Sequence, residues 1–199
     1  MLFIKISVLL YVFVYYGILL GFRAYLLYKN TGVNVIKNMQ REGLPGFIEK
    51  VFAVCFITIS VIAFNYAFLP VNYQYLVPIT YLEHHFLAWI GIVFSFTGLS
   101  FGFIAQLQMG DSWRLGINNG KRTELITKGL YQYSRNPVYL GIFISAVGFF
   151  LMVPSALSLS YLIVFYISLE VKIRLEELVM ENTHANTYLS YKKQVRRWI

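Results

Sequence analysis

Residues 138–169 form a run of 32 without a formal charge, and no other stretch limits the fold of this chain so tightly. As a single α-helix the run would be about 48 Å long, well beyond a hydrocarbon core of about 30 Å. Pro154-Ser155 stands at its middle, where a proline ends one helix and can open the next. The run therefore predicts a tight helical hairpin, with spans at about 138–153 and 155–169.

Three earlier apolar runs, at about 2–22, 47–69 (closed by Pro70) and 86–107, have the length of ordinary transmembrane helices. The composition agrees: 58% of residues are hydrophobic and 13% charged, against roughly a half and a quarter in soluble domains. Gly21-Phe22-Arg23 lacks the small-residue pattern of a signal cleavage site, so the first run is expected to be a retained span. The fold class expected is all-α: one polytopic membrane domain over residues 1–199, five transmembrane helices with the last two as a tight hairpin, plus short cytosolic helices.

Charge placement orients this arrangement. Residues 23–50 carry a net +3, residues 108–135 again +3, and residues 170–199 +2, whereas residues 70–85 hold only Glu83. By the positive-inside rule the three basic segments face the cytosol, which puts the N-terminus outside and the C-terminus inside. The overall +8 is thus read as topology, and no nucleic-acid partner is expected. Cys55 is the single cysteine, so neither an internal disulfide nor a cysteine-based metal site can form. His84-His85 are adjacent and fall on the outer side, and His184 stands alone in the tail. No metal site is expected.

Two polar segments converge on the cytosolic face in this topology. Residues 125–141 hold Tyr131, Tyr133 and Tyr139 between Gly129 and Gly141, directly before the apolar hairpin. Glycine lets backbone approach a ligand closely, and tyrosine offers both a ring face and a hydroxyl. After the hairpin, residues 170–182 continue with helical spacing and bring Lys172 and Glu176 to one face. Such groups suit a small polar or cationic ligand. On composition alone the tyrosines are better read as interfacial anchors and Lys128 and Arg135 as topology signals, while Glu176-Glu177 serve equally as a solvated face. The common nucleotide, metalloprotease and nucleophile-elbow motifs are missing from the sequence.

The order of these residues resembles the isoprenylcysteine carboxyl methyltransferase family, a group of integral-membrane methyltransferases with prokaryotic members. The likeness covers about residues 110–199. Its first motif is seen as Leu125, Thr127, Gly129, Tyr131, Arg135, Asn136, Pro137, Tyr139 and Gly141. Its second is seen as Lys172, Arg174, Glu176-Glu177, Tyr188, Tyr191 and Arg196-Arg197-Trp198-Ile199. Two departures stand out: Asn136 occupies a position where the family usually has His, and His184-Ala185 replace a usual Phe-Gly. Asparagine can donate and accept hydrogen bonds but does not titrate.

The resemblance implies a cytosol-facing S-adenosylmethionine pocket and a lipid-accessible groove for a prenyl chain. By position, Glu124, Leu125, Ile126, Gly129, Tyr131, Arg135, Asn136, Pro137, Val138, Tyr139, Glu176 and Glu177 would form the cofactor side. Lys172 or Arg174 would orient the acceptor carboxylate. S-adenosylhomocysteine would be the product, and the acceptor a lipophilic small molecule or prenylated chain drawn from the bilayer, with no protein partner implied. A carboxylate acceptor is ionised at neutral pH and needs no general base, so catalysis would rest on placement in a water-poor site. An amine or thiol acceptor would need deprotonation, for which Glu176 or Glu177 is the candidate. Phospholipid N-methylation, a sterol-reductase-like activity and a non-catalytic membrane role are the competing expectations.

Overall fold

The computed structural model describes residues 2–32, 42–110 and 125–199. Five long helices organise it: α1 (Leu2–Thr31), α2 (Gly43–Phe68), α3 (His85–Met109), α4 (Pro137–Met152) and α5 (Ala156–Gln194). Among the described residues there is no sheet, only an isolated antiparallel bridge between Pro78 and Ser155. This is an all-helical, multi-pass integral membrane architecture. Four helices, α1, α2, α3 and α5, are long and apolar enough to cross a membrane. The fifth expected span is α4, whose 16 residues give only about 24 Å.

The limits of α4 are chemical. Pro137 opens it, where a missing N–H costs nothing, and Pro154 follows its last turn. Ser155 then caps α5: its Oγ accepts from Ser158 N at 3.1 Å, while Ser158 Oγ accepts from Ser155 N at 2.9 Å. The outer helices depart from expectation in the other direction. α1 continues past residue 22 to Thr31, with a π-helical stretch at Tyr15–Phe22. α5 continues far past residue 169 and bends at Ala185, so the polar segment after the hairpin is the same helix prolonged, not a separate short one.

Hydrogen bonds sort the molecule into two ends. At one, Lys5 Nζ donates to Ala67 O (3.2 Å), Ile79 N to Pro154 O (2.9 Å) and Ala156 N to Val77 O (2.8 Å). This end gathers the start of α1, residues 69–84 and the α4–α5 turn. At the other, Arg23 donates to Gln106 O (2.9 Å) and Gly110 O (3.2 Å), a cation on the C-terminal carbonyls of α3. The first turns of α2 and α4 and the polar half of α5 lie at this second, basic end, as Lys172 to Glu49 and Asn136 to Glu177 show.

The closest helix pair is α3 with α4, antiparallel along a line of small residues. A Cβ on Gly98 would lie 2.6 Å from Gly141 O and from Ser145 N, and one on Gly91 would lie 2.7 Å from Gly148 O. Backbones meet here because no side chain stands between them, the usual device where water cannot drive association. The rest of the interior is aromatic. Tyr11, Phe149 and Phe165 are fully buried, Phe149 stacks with Tyr11 at 5.4 Å, and Tyr11 Oη lies 3.1 Å from Ser145 Oγ.

Gly98→Val should therefore push α3 off α4. Its expected cost is about 3 kcal/mol, read as a lower Tm and a loss of monodisperse protein in detergent. Gly17→Ala, at a site with no neighbouring atom within 4 Å, should change stability by less than about 0.5 kcal/mol.

Candidate functional site

The site is assembled at the basic end from three pieces of chain. The first, residues 125–136, is fixed to α3. Gly129 has φ +66°, in the left-handed region open to glycine, and a Cβ there would meet Gln108 Oε1 at 2.5 Å. That same oxygen accepts from Leu130 N at 2.8 Å. The 3₁₀ turn Gly129–Gln132 then carries Tyr131 into the interior, where its hydroxyl donates to Ala105 O at 3.4 Å. Burial pushes that hydroxyl well above its ordinary pKa, with Tyr191 and Glu176 adding to the rise, so it remains a donor. Tyr133, by contrast, is exposed.

The second piece is α5, and its two adjacent glutamates have different tasks. Glu177, only 4% exposed, is saturated. It accepts from Arg135 Nε (3.1 Å), Asn136 Nδ2 (3.2 Å) and Arg197 NH2 (2.9 Å). Glu176, half-buried, accepts from Tyr139 Oη at 2.5 Å, its one hydrogen bond among the described residues. An ionised carboxylate offers about four acceptor positions, so Glu176 keeps room for a ligand and Glu177 does not.

The third piece is the C-terminal tail. Arg135 N donates to Arg196 O (2.9 Å), Ser134 Oγ to Arg197 O (3.2 Å) and Arg135 NH1 to Val195 O (2.7 Å). Arg197 also reaches Glu170 (3.7 Å), and Trp198 Nε1 donates to Glu170 Oε1 at 2.8 Å. The hydrogen bond to Glu177 raises the Arg197 guanidinium above its ordinary value. The tail thus straps the first turn of α4 to the side of α5. It can do so because α5 bends at Ala185, whose φ of +41° is rare for a residue with a side chain. Beyond the bend Tyr188 and Tyr191 are buried, and Tyr191 Oη donates to Tyr131 O at 2.6 Å.

The expected site residues fall into groups. Tyr131, Tyr139 and Glu176 come together with a carboxylate to spare. Arg135, Asn136 and Glu177 also meet, as a self-satisfied hub that positions the others. Pro137 and Val138 are buried in the first turn of α4, Leu125 and Ile126 are half-buried before the 3₁₀ turn, and Gly129 holds that turn. Glu124 lies outside the described residues, as do the counted charges Lys37, Arg41, Asp111, Arg114, Lys121 and Arg122. Lys172 is buried, 2.7 Å from Glu49 of α2, with Nζ 4.9 Å from the Phe52 ring centroid. Arg174 points outward, 65% exposed, and pairs with Glu170 at 3.6 Å. Sequence reasoning missed Glu49, Gln108, Arg23 and Glu170, which entered it only as loop charges or not at all.

Comparison with known families supplies the frame for this geometry. Residues 89–182 match the model of the isoprenylcysteine carboxyl methyltransferase (ICMT) family. Over this segment the chain is similar to that family. The match spans most of α3, the 125–136 segment, α4 and α5 up to Asn182, and it supports a membrane methyltransferase. No curated protein matched the chain. The family segment contains Gly129, Tyr139 and both glutamates, whereas Arg23, Glu49 and the Arg197-Trp198 strap lie outside it. The matched segment therefore does not contain those residues, and folding brings them to the site.

Two substitutions test this construction. Glu177→Ala leaves Arg135 and Arg197 facing each other without their shared anion and should cost at least about 3 kcal/mol, seen as a fall in Tm. Ala185→Gly removes the backbone strain at the bend and should add about 1 kcal/mol of stability, measured in the same thermal assay.

Proposed function

We propose that this ICMT-family protein transfers a methyl group from S-adenosylmethionine to a lipophilic acceptor at the membrane–water interface. The observation that carries the reading is the contrast between the two glutamates: Glu177 is consumed by the hub, while Glu176 is held by Tyr139 and keeps acceptor capacity. The donor set fits the ligand. Glu176 suits an ammonium or ribose hydroxyls, and the ring faces of Tyr131 and Tyr139 suit a sulfonium cation. Once bound, S-adenosylmethionine supplies an electrophilic methyl group. The protein's part is orientation. The hub fixes the first turn of α4, that turn fixes Tyr139, and Tyr139 fixes Glu176.

The acceptor that the family description carries is an isoprenylcysteine-like carboxyl group. A phospholipid or another small lipophilic amine or thiol is the second reading, and the pairing of Lys172 with Glu49 favours it. In the membrane, we take the basic end to be cytosolic, as the charge pattern suggests. α4 would then complete a fifth crossing within one domain, with the N-terminus outside.

Calorimetry with S-adenosylhomocysteine on the detergent-purified chain tests the donor assignment. Binding is expected, with Glu176→Ala weakening it at least tenfold and His85→Ala, at the opposite end, leaving it unchanged. Folded protein that gives no binding would point to a non-catalytic membrane role, and equal losses in both variants would move the site elsewhere.

A further inference from the structure

The last residues of the chain turn back toward the apolar part of the molecule. After the bend at Ala185, Arg196 O accepts from Arg135 N at 2.9 Å, just ahead of α4. The Trp198 ring, by contrast, lies 6.3 Å from that of Phe143, six positions after Pro137 and so about 9 Å along the α4 axis. α5 gives the same depth. Trp198 Nε1 is bonded to Glu170, which α5 reaches about 21 Å after Ala156, inside the ~30 Å of a hydrocarbon core. Phe143 also stands 5.1 Å from Tyr166, and Tyr166 and the final Ile199 are exposed. From Arg196 to Trp198 the tail thus passes from the polar edge of the helices to their apolar level. A tryptophan at that height beside an exposed aliphatic side chain is an interfacial anchor.

The cations around this anchor exceed their partners. Lys192 is taken by Glu181, and Arg197 by Glu177 and Glu170. Lys193 and Arg196 are exposed and stand in no ion pair among the described residues. Arg174, 65% exposed, pairs at 3.6 Å with Glu170, an anion it shares with Arg197. We propose that the returning tail and Arg174 form a binding site for an anionic phospholipid. Arg174, Lys193 and Arg196 hold its phosphate, and its acyl chains lie along Trp198, Tyr166 and Ile199. A free anion would satisfy the cations and leave the apolar half of the site unused, so the occupant is the lipid. Bound lipid holds the strap in place, and the strap carries Arg197 to Glu177. The site needs no methyl donor and is independent of the methyltransferase reading.

Tryptophan quenching in lipid nanodiscs tests it. The full chain is placed in phosphatidylcholine discs holding a small fraction of phosphatidylglycerol or of phosphatidylcholine brominated high on the acyl chains. Bromine quenches the indole rings it touches, and the signal lost in Trp198→Phe separates Trp198 from Trp89 and Trp113. Quenching of Trp198 should show an affinity for phosphatidylglycerol about tenfold above that for phosphatidylcholine at low salt. The double variant Lys193→Gln, Arg196→Gln, altered only at exposed side chains, should lower that preference at least about threefold. Equal quenching by the two brominated lipids would overturn the proposal, as would a Trp198 that neither lipid quenches. An unchanged preference in the folded double variant would overturn it too. If Trp198→Phe does not fold, total quenching by brominated phosphatidylglycerol decides: a fall from the unmodified chain to the double variant supports the site, and no fall contradicts it.

Discussion

The Glu177 carboxylate is the contact on which the rest of the site depends. Three donors from separate parts of the chain converge on it: Arg135 and Asn136 at the start of α4, and Arg197 from the tail. A buried carboxylate with two guanidinium partners and an amide is fully satisfied, and removing any partner leaves a charge in a poor solvent. This closes the basic end of the helix assembly. It also explains the strap, since the tail carbonyls of Val195, Arg196 and Arg197 accept from Arg135, Ser134 and Asn136. With Glu177 anchored in this way, its neighbour Glu176 faces Tyr139 and keeps unused acceptor positions among the described residues.

The apolar part serves the same end. Close backbone contact between α3 and α4 fixes where Pro137 begins its helix, and Gln108 on the last turn of α3 holds the glycine turn that carries Tyr131. Arg23 of α1 binds the final carbonyls of α3, and Glu49 of α2 binds Lys172 of α5. All five helices thus place something at the basic end. The opposite end, around residues 69–84 and Pro154, carries backbone pairings and few charges.

Much of this was legible in the sequence because it follows from local chemistry. The charge-free runs predict the helices, Pro154-Ser155 marks the break, and the Glu176-Glu177 pair and Tyr139 stand out as site candidates. The family resemblance is supported by the match over residues 89–182. What the sequence could not give is partnership across long separations. Glu49 and Lys172 are 123 positions apart, and nothing in either neighbourhood announces the other. For the same reason the family resemblance implies Lys172 or Arg174 for an acceptor carboxylate, and only the buried pair shows Lys172 already neutralised. Composition and periodicity also leave the two glutamates alike, whereas packing makes one structural and the other available. Ala185 is a further case: in the sequence it is only a departure from a usual glycine, and the positive φ of the bend gives that departure its physical meaning. The extent of α4 is read from the run and its proline nearly to the residue, 138–153 against Pro137–Met152, and those 16 residues are shorter than an ordinary span.

The central claim is that residues 125–141 and the polar half of α5 form one ligand site at the basic end. Direct ultraviolet photolabelling of the folded chain with radiolabelled S-adenosylmethionine, followed by peptide mapping, tests it without any substitution. The account predicts label in peptides from residues 125–141 or 170–191, suppressed by excess S-adenosylhomocysteine. Competed label confined to residues 69–84, at the other end of the molecule, would contradict it.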